Sequence, residues 1–89
     1  MTRHHLNTWP TYFRAAEKGV KTFEVRKNDR FFQRGDMVVL HELENDGPGL
    51  NARTGNSLEF YIGPILQGGQ FGIEAGYCAF SLLPNDPAK

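Results

Sequence analysis

The chain has 89 residues, with ten Lys/Arg balanced by ten Asp/Glu; that length supports one core and excludes separate catalytic and binding modules, and the zero net charge argues against a uniformly basic nucleic-acid coat. Seven Phe, three Tyr and one Trp supply apolar area to that core, while no run approaches the roughly 20 apolar residues needed to span a bilayer. A single cysteine excludes an intrachain disulfide, and the apolar neighbours Tyr77, Ala79 and Phe80 make Cys78 read as a buried, inert thiol in a reducing cytoplasm.

In chain order, Arg3 to Thr8 reads as a short first strand. Trp9, Tyr12, Phe13, Ala16 and Val20 then recur at helical spacing, with Arg14, Glu17 and Lys18 between them; the spacing predicts an amphipathic helix over residues 9 to 18, with the apolar set facing inward. Thr8 is the expected N-cap, Pro10 fits the first turn, and Gly19 suits a left-handed C-terminal position. Thr22 to Lys27 alternates strictly, which places Phe23 and Val25 inward and Thr22, Glu24 and Arg26 together on the other face.

Asn28-Asp29 is a turn signal, and Phe31-Phe32 is expected to return to the core. Arg34-Gly35-Asp36 spells an adhesion tripeptide but reads as turn chemistry before a strand. Met37 to Leu43 is apolar on both parities at first, as in a central strand covered on both faces, and turns polar at its end. Asn45 to Asn56 reads as a mobile loop. Ser57 to Leu66 and Gly76 to Leu83 are two further strands, joined by a loop containing Gly68, Gly69 and Gly72. About five strands and one early helix imply a small, partly open α+β barrel. It forms one domain over residues 1–83, followed by a flexible tail over 84–89.

Charge is unevenly spread: residues 14 to 34 hold seven Lys/Arg against three acids, and residues 36 to 89 hold seven acids against two bases. The molecule should therefore carry a positive and a negative side. The glycines between Gly63 and Gly76 lack the Lys-Ser/Thr and helix start of a phosphate loop, as well as a dinucleotide fingerprint. His4, His5, His41 and Cys78 show no paired ligand spacing, and His4 and His5 point to opposite faces of a strand, so neither metal nor cofactor is expected. No Ser or Cys nucleophile sits in a recognisable motif.

The densest chemistry lies between Lys21 and Arg30. Arg26 and Arg30 can each grip a phosphate bidentately, Lys21 and Lys27 add point charges, and Glu24 and Asn28 can orient them or accept from a base or ribose hydroxyl. Trp9, Tyr12 or Tyr77 can offer a stacking face for a base. The same charges can alternatively form an ion-pair network closing the barrel mouth.

Gly19-x-Lys21-x-x-Glu24-x-Arg26 after a short aromatic helix, with Gly35-Asp36 opening an apolar strand, resembles the ASCH domain of the PUA-like superfamily. The closest likeness is to a compact subgroup of uncharacterised bacterial and phage proteins. Their His-x-Leu-x-Thr-Trp-Pro opening returns as His4 or His5, Leu6, Thr8, Trp9 and Pro10, and their Lys-Thr-Phe-Glu-x-Arg-Lys-Asn-Asp-Arg core as Lys21 to Arg30. The resemblance implies a PUA-like barrel with a cleft beside the signature strand and binding of RNA or a nucleotide, without a membrane partner. Some ASCH proteins resemble acetylcytidine amidohydrolases, whose signature Lys is matched by Lys21 but whose nucleophilic Thr is replaced by Glu24. The expected function is thus noncatalytic binding through Lys21, Glu24, Arg26, Lys27, Asn28 and Arg30. The alternatives are a small hydrolase of a modified nucleoside using Lys21 and Glu24, and a protein-interaction module.

Overall fold

The computed structural model describes residues 1–87, and its elements run β1 (Arg3–Thr8), α1 (Pro10–Glu17), β2 (Phe23–Lys27), β3 (Met37–Leu43), β4 (Arg53–Gln67) and β5 (Tyr77–Leu83). The five strands form one sheet in the order β1-β3-β4-β5-β2. It curls into a half-barrel open between its two edge strands, β1 and β2. β1 pairs with β3 in parallel, and every other pairing is antiparallel. A parallel pair needs a long crossover, and the segment containing α1 and β2 supplies it.

Curvature comes largely from β4. It pairs with β3 from Arg53 to Tyr61 and with β5 from Tyr61 to Gln67, and its register against β5 shifts between Ile62 and Ile65, an irregularity that bends a strand. Gly63 lies in that bend, where a Cβ would come within 3.0–3.1 Å of the Leu83 and Ser81 side chains. Leu6, Phe13, Phe32, Val38, Leu40, Ile62, Phe80 and Leu82 fill the interior. Met37 to Leu40 are buried on both parities, as expected for β3. Phe32 enters the core against His4 and Phe80, whereas Phe31 turns out to solvent.

α1 is narrower on its buried side than its apolar spacing predicts: Pro10, Phe13 and Ala16 are covered, and Trp9, Tyr12 and Val20 are exposed. Thr8 does not cap it. That residue ends β1, and the N-cap is Trp9, which makes no side-chain cap bond. The cap comes instead from the β3–β4 loop, where Asp46 accepts the Thr11 N–H at 3.1 Å and the Thr11 hydroxyl at 2.5 Å. The other end closes as expected on Gly19 at φ 75°. The Gly19 N–H reaches the Ala16 carbonyl and the Val20 N–H the Ala15 carbonyl, the paired bonds of a Schellman motif.

Two further expectations are corrected. β2 is inverted: Glu24 is 4% exposed while Phe23 and Val25 are 53% exposed. Alternation counts apolar residues but not the neutralising partners that allow a carboxylate inside. β4 begins at Arg53, four residues before Ser57, because the buried Glu42 carboxylate accepts from Thr54 Oγ1 at 2.9 Å and Asn56 Nδ2 at 3.1 Å. The remaining loop is tied across by Glu44 N–H to Ala52 O at 2.9 Å and by Asn45 and Asn51.

After β5, Pro84 and Asn85 are exposed and Asp86 and Pro87 are half-buried; the last two residues of the expected tail, 88–89, lie outside the described residues. Among the described residues no helix is long and apolar enough to cross a membrane.

Candidate functional site

The Schellman turn sets the first member of the site. Once the chain reverses at Gly19, the Lys21 N–H bonds to the Ala15 carbonyl at 3.0 Å, which fixes Lys21 beside the start of β2. Its ammonium donates to Glu24 Oε1 at 2.5 Å and to the Phe23 carbonyl at 2.6 Å. Arg26, two residues along on the same strand face, donates from Nε to Glu24 Oε2 at 2.8 Å. The Arg26 Nη2 group reaches across to β1, donating to the Asn7 carbonyl at 3.0 Å and Thr8 Oγ1 at 3.3 Å. Lys21, Glu24 and Arg26 thus form one ion triad with side-chain exposures of 15%, 5% and 25%.

The triad lies in a cleft of about 630 Å³ lined by Asn7, Thr8, Trp9, Tyr12, Lys21, Phe23, Glu24, Val25 and Arg26. Trp9 and Tyr12 stack on its rim, with centroids 5.8 Å apart and planes 16° from parallel. The Lys21 ammonium sits 5.8 Å from the Tyr12 ring centre and 5.2 Å from that of Phe23, within cation–π range. One wall is a strand edge. Thr22 O and Asn28 N bond to the β5 side, so in this antiparallel register the even-numbered residues of β2 face β5 and the main-chain groups of Phe23 and Val25 point away from it.

Two cations and one carboxylate leave the triad with a net charge of plus one. Arg26 retains its Nη1 donors and Lys21 one N–H beyond the bonds given above. Both Glu24 oxygens are already engaged. The site can therefore donate to an anion or a carbonyl edge while presenting an aromatic surface beside it.

The other expected site residues lie along the same line but outside the cleft. Lys27 ends β2, exposed and paired in register with Tyr77. Asn28 donates from Nδ2 to Gln67 Oε1 at 3.0 Å. Arg30 donates to the His5 carbonyl at 2.5 Å and pairs with Asp29 at 3.5 Å. Trp9 and Tyr12 reach the cleft as stacking residues; Tyr77 does not. Sequence reasoning assigned Thr8 to a cap and Phe23 and Val25 to the core, and gave Asn7 no role. The signal for Thr8 and Asn7 is the direct step from strand to Trp9-Pro10, which places the end of β1 against the helix start.

Elsewhere, His4 and Asp36 form a buried pair at 2.8 Å. Burial alone would raise the Asp36 carboxyl, but hydrogen bonds from His4, Thr2 N–H and Gln33 N–H, with the His4 charge, hold it below its ordinary value. His5 Nδ1 and His41 Nε2 meet at 2.9 Å on the outer face. His41 is held below its ordinary value by burial, and further by the charges of Arg53 and His5. Cys78 is a free, buried thiol pushed up by desolvation. Among the described residues no three His, Cys, Asp or Glu side chains converge as a metal site.

Comparison with curated proteins gives no match. A family model matches nearly the whole described chain, residues 3–82, and so spans β1, the cleft and all but the last residue of β5. The chain belongs to the family described as a domain of unknown function, DUF3850.

Proposed function

We propose that this is an ASCH-type, PUA-like domain that binds a base or nucleotide of RNA in the cleft between β1, α1 and β2, without reacting with it. The observation that carries the reading is the juxtaposition of a triad of net charge plus one with a half-exposed aromatic stack in one cleft. Tyr12 or Trp9 offers the face on which a base stacks. Arg26 Nη1 and the remaining Lys21 N–H donate to phosphate or to a base carbonyl, and Glu24 holds both cations in place. The free edge of β2 adds main-chain donors and acceptors at Val25 for a base edge. A cytoplasmic setting belongs to this reading, in keeping with the free thiol of Cys78.

Hydrolysis is less well supported. With Lys21 and Arg26 on its two oxygens, Glu24 is held as the counter-ion of both cations, an arrangement that serves positioning rather than activation of a water. Glu59 is paired with Arg3 at 2.6 Å, outside the cleft, and Thr22 is exposed.

The chain has one tryptophan, and it lies on the cleft, so its fluorescence reports occupancy. Titration with nucleotides and short RNAs should quench Trp9, with affinity falling as salt rises because cation–phosphate contacts release counterions. Tyr12→Ala and Arg26→Lys should each weaken that binding. Absence of quenching by any RNA or nucleotide would sink the reading; release of cytidine from an acetylated cytidine, lost in Lys21→Ala, would replace binding with catalysis.

A further inference from the structure

Two phenylalanines face solvent from backbone conformations that bulky residues avoid. Phe31 is 86% exposed at φ 51°, and Phe71 is 83% exposed at φ 52°. Phe71 is the first central residue of a turn closed by Ile73 N–H to Gln70 O at 2.9 Å, with Gly72 following at φ 79°. Two successive left-handed residues make this a turn that Asn, Asp or Gly fills without strain. Neither burial nor turn chemistry accounts for Phe there. Phe31 has the same profile, since the core contact of its loop is made by Phe32. Strained backbone that holds a side chain away from the core is the kind found at functional sites.

Both residues belong to the same end of the sheet. Asn28 joins the β2–β3 loop to the β4–β5 loop through its N–H to Gly76 O at 2.9 Å and its side chain to Gln67 at 3.0 Å. The cleft takes in β2 from Phe23 to Arg26, and Glu24 at its centre lies four strand residues, roughly 13 Å at about 3.3 Å per residue, from Asn28. Lys27 lies between the two ends and Arg34 follows Phe31. Their side chains enter no ion pair or hydrogen bond among the described residues.

We infer that the ligand is a single strand of RNA several nucleotides long, held by one base in the cleft and stacked at its far end on Phe31 and Phe71, with Lys27 and Arg34 against its phosphates. This rests on the nucleotide-binding reading of the cleft and extends it from a nucleotide to a polynucleotide. Exposed aromatic faces interleaved with unpaired cations are the arrangement that binds single strands with little sequence preference. A mononucleotide is too short to reach both ends, whereas a strand of about four or more nucleotides is long enough.

The test is a length series, from a mononucleotide to about twelve nucleotides of single-stranded RNA, measured by anisotropy against the wild type, Phe31→Asn, Phe71→Asn and the double variant. Asn accepts the left-handed backbone, so thermal melting should show each variant folded. Affinity should rise with length, and each Phe variant should lose about tenfold for the longer strands while mononucleotide binding stays unchanged. Equal affinity for all lengths, or long-strand binding unchanged in the double variant, overturns the inference and leaves the cleft reading standing. No binding of mononucleotide or RNA overturns both. Phe-dependent binding to anionic lipid vesicles, without RNA binding, overturns it in favour of a membrane surface.

Discussion

At position 24 a carboxylate lies between an ammonium and a guanidinium, so replacing it with an isosteric amide removes the charge and keeps the shape. Lys21 and Arg26, both mostly covered, would then face each other without a counter-charge. Glu24→Gln is therefore expected to lose about 2 to 3 kcal/mol in urea unfolding, just below the range for breaking a fully buried pair, because both cations keep some contact with water. Titration of His41 and Asp36, with a surface contribution from Asp46 in the acid range, shapes the pH profile. His41 is depressed in the fold below its ordinary value of 6.5 and Asp36 below 3.8, so for each the stabilisation is complete above the ordinary value and is lost as pH falls through the folded one. Melting temperature should therefore step down below about pH 6.5 and again below about pH 3.8; His41→Gln should flatten the first step and Asp36→Asn the second. At this scale the grouping of Lys21, Glu24 and Arg26 was readable and the direction of their strand face was not, while Lys27, Asn28 and Arg30 fall outside the cleft. The alternation of Glu24 and Arg26 marks one strand face, but whether that face turns toward water depends on whether each charge finds a partner, and those partners include Lys21 from the preceding turn and Asn7 and Thr8 from a different strand.

Elements show the same division between local and distant causes. Gly19 was placed correctly because a left-handed helix terminus is a local requirement, and its open surroundings leave backbone geometry as the main obstacle to a side chain. Gly19→Ala should cost about 1 to 2 kcal/mol, measured by urea unfolding. It should also weaken ligand binding, since the same turn positions Lys21. The bounds of β1 and β3 follow from alternation and from a continuous apolar run. The N-cap of α1 did not follow, because Asp46 reaches it from 35 residues further along the chain. The early part of β4 was hidden for a similar reason: Thr54, Gly55 and Asn56 read as loop until the buried Glu42 carboxylate is available to hold Thr54 and Asn56.

For the whole molecule, the number of strands and the presence of one early helix were readable, whereas strand order was not. Nothing local announces that the first strand pairs in parallel with the third and leaves the second at the opposite edge. That order leaves β1 and β2 facing each other with no ladder between them. The Thr2 carbonyl bonds to Met37 N–H, so the even-numbered residues of β1 face β3 and His5 and Asn7 face the gap. Their carbonyls accept from Arg30 and Arg26, and among the described residues their amides have no ladder partner. Amide hydrogen exchange at His5 and Asn7 should accordingly run faster than at His4 and Leu6, and equal protection along β1 would show that the edges have zipped together. Two guanidinium groups thus act as clasps on a barrel that is otherwise stitched by its main chain. A clasp opens by a change of rotamer, at far smaller cost than breaking a run of ladder bonds, so the mouth can widen around a bulky ligand and reclose while the rest of the sheet keeps its register.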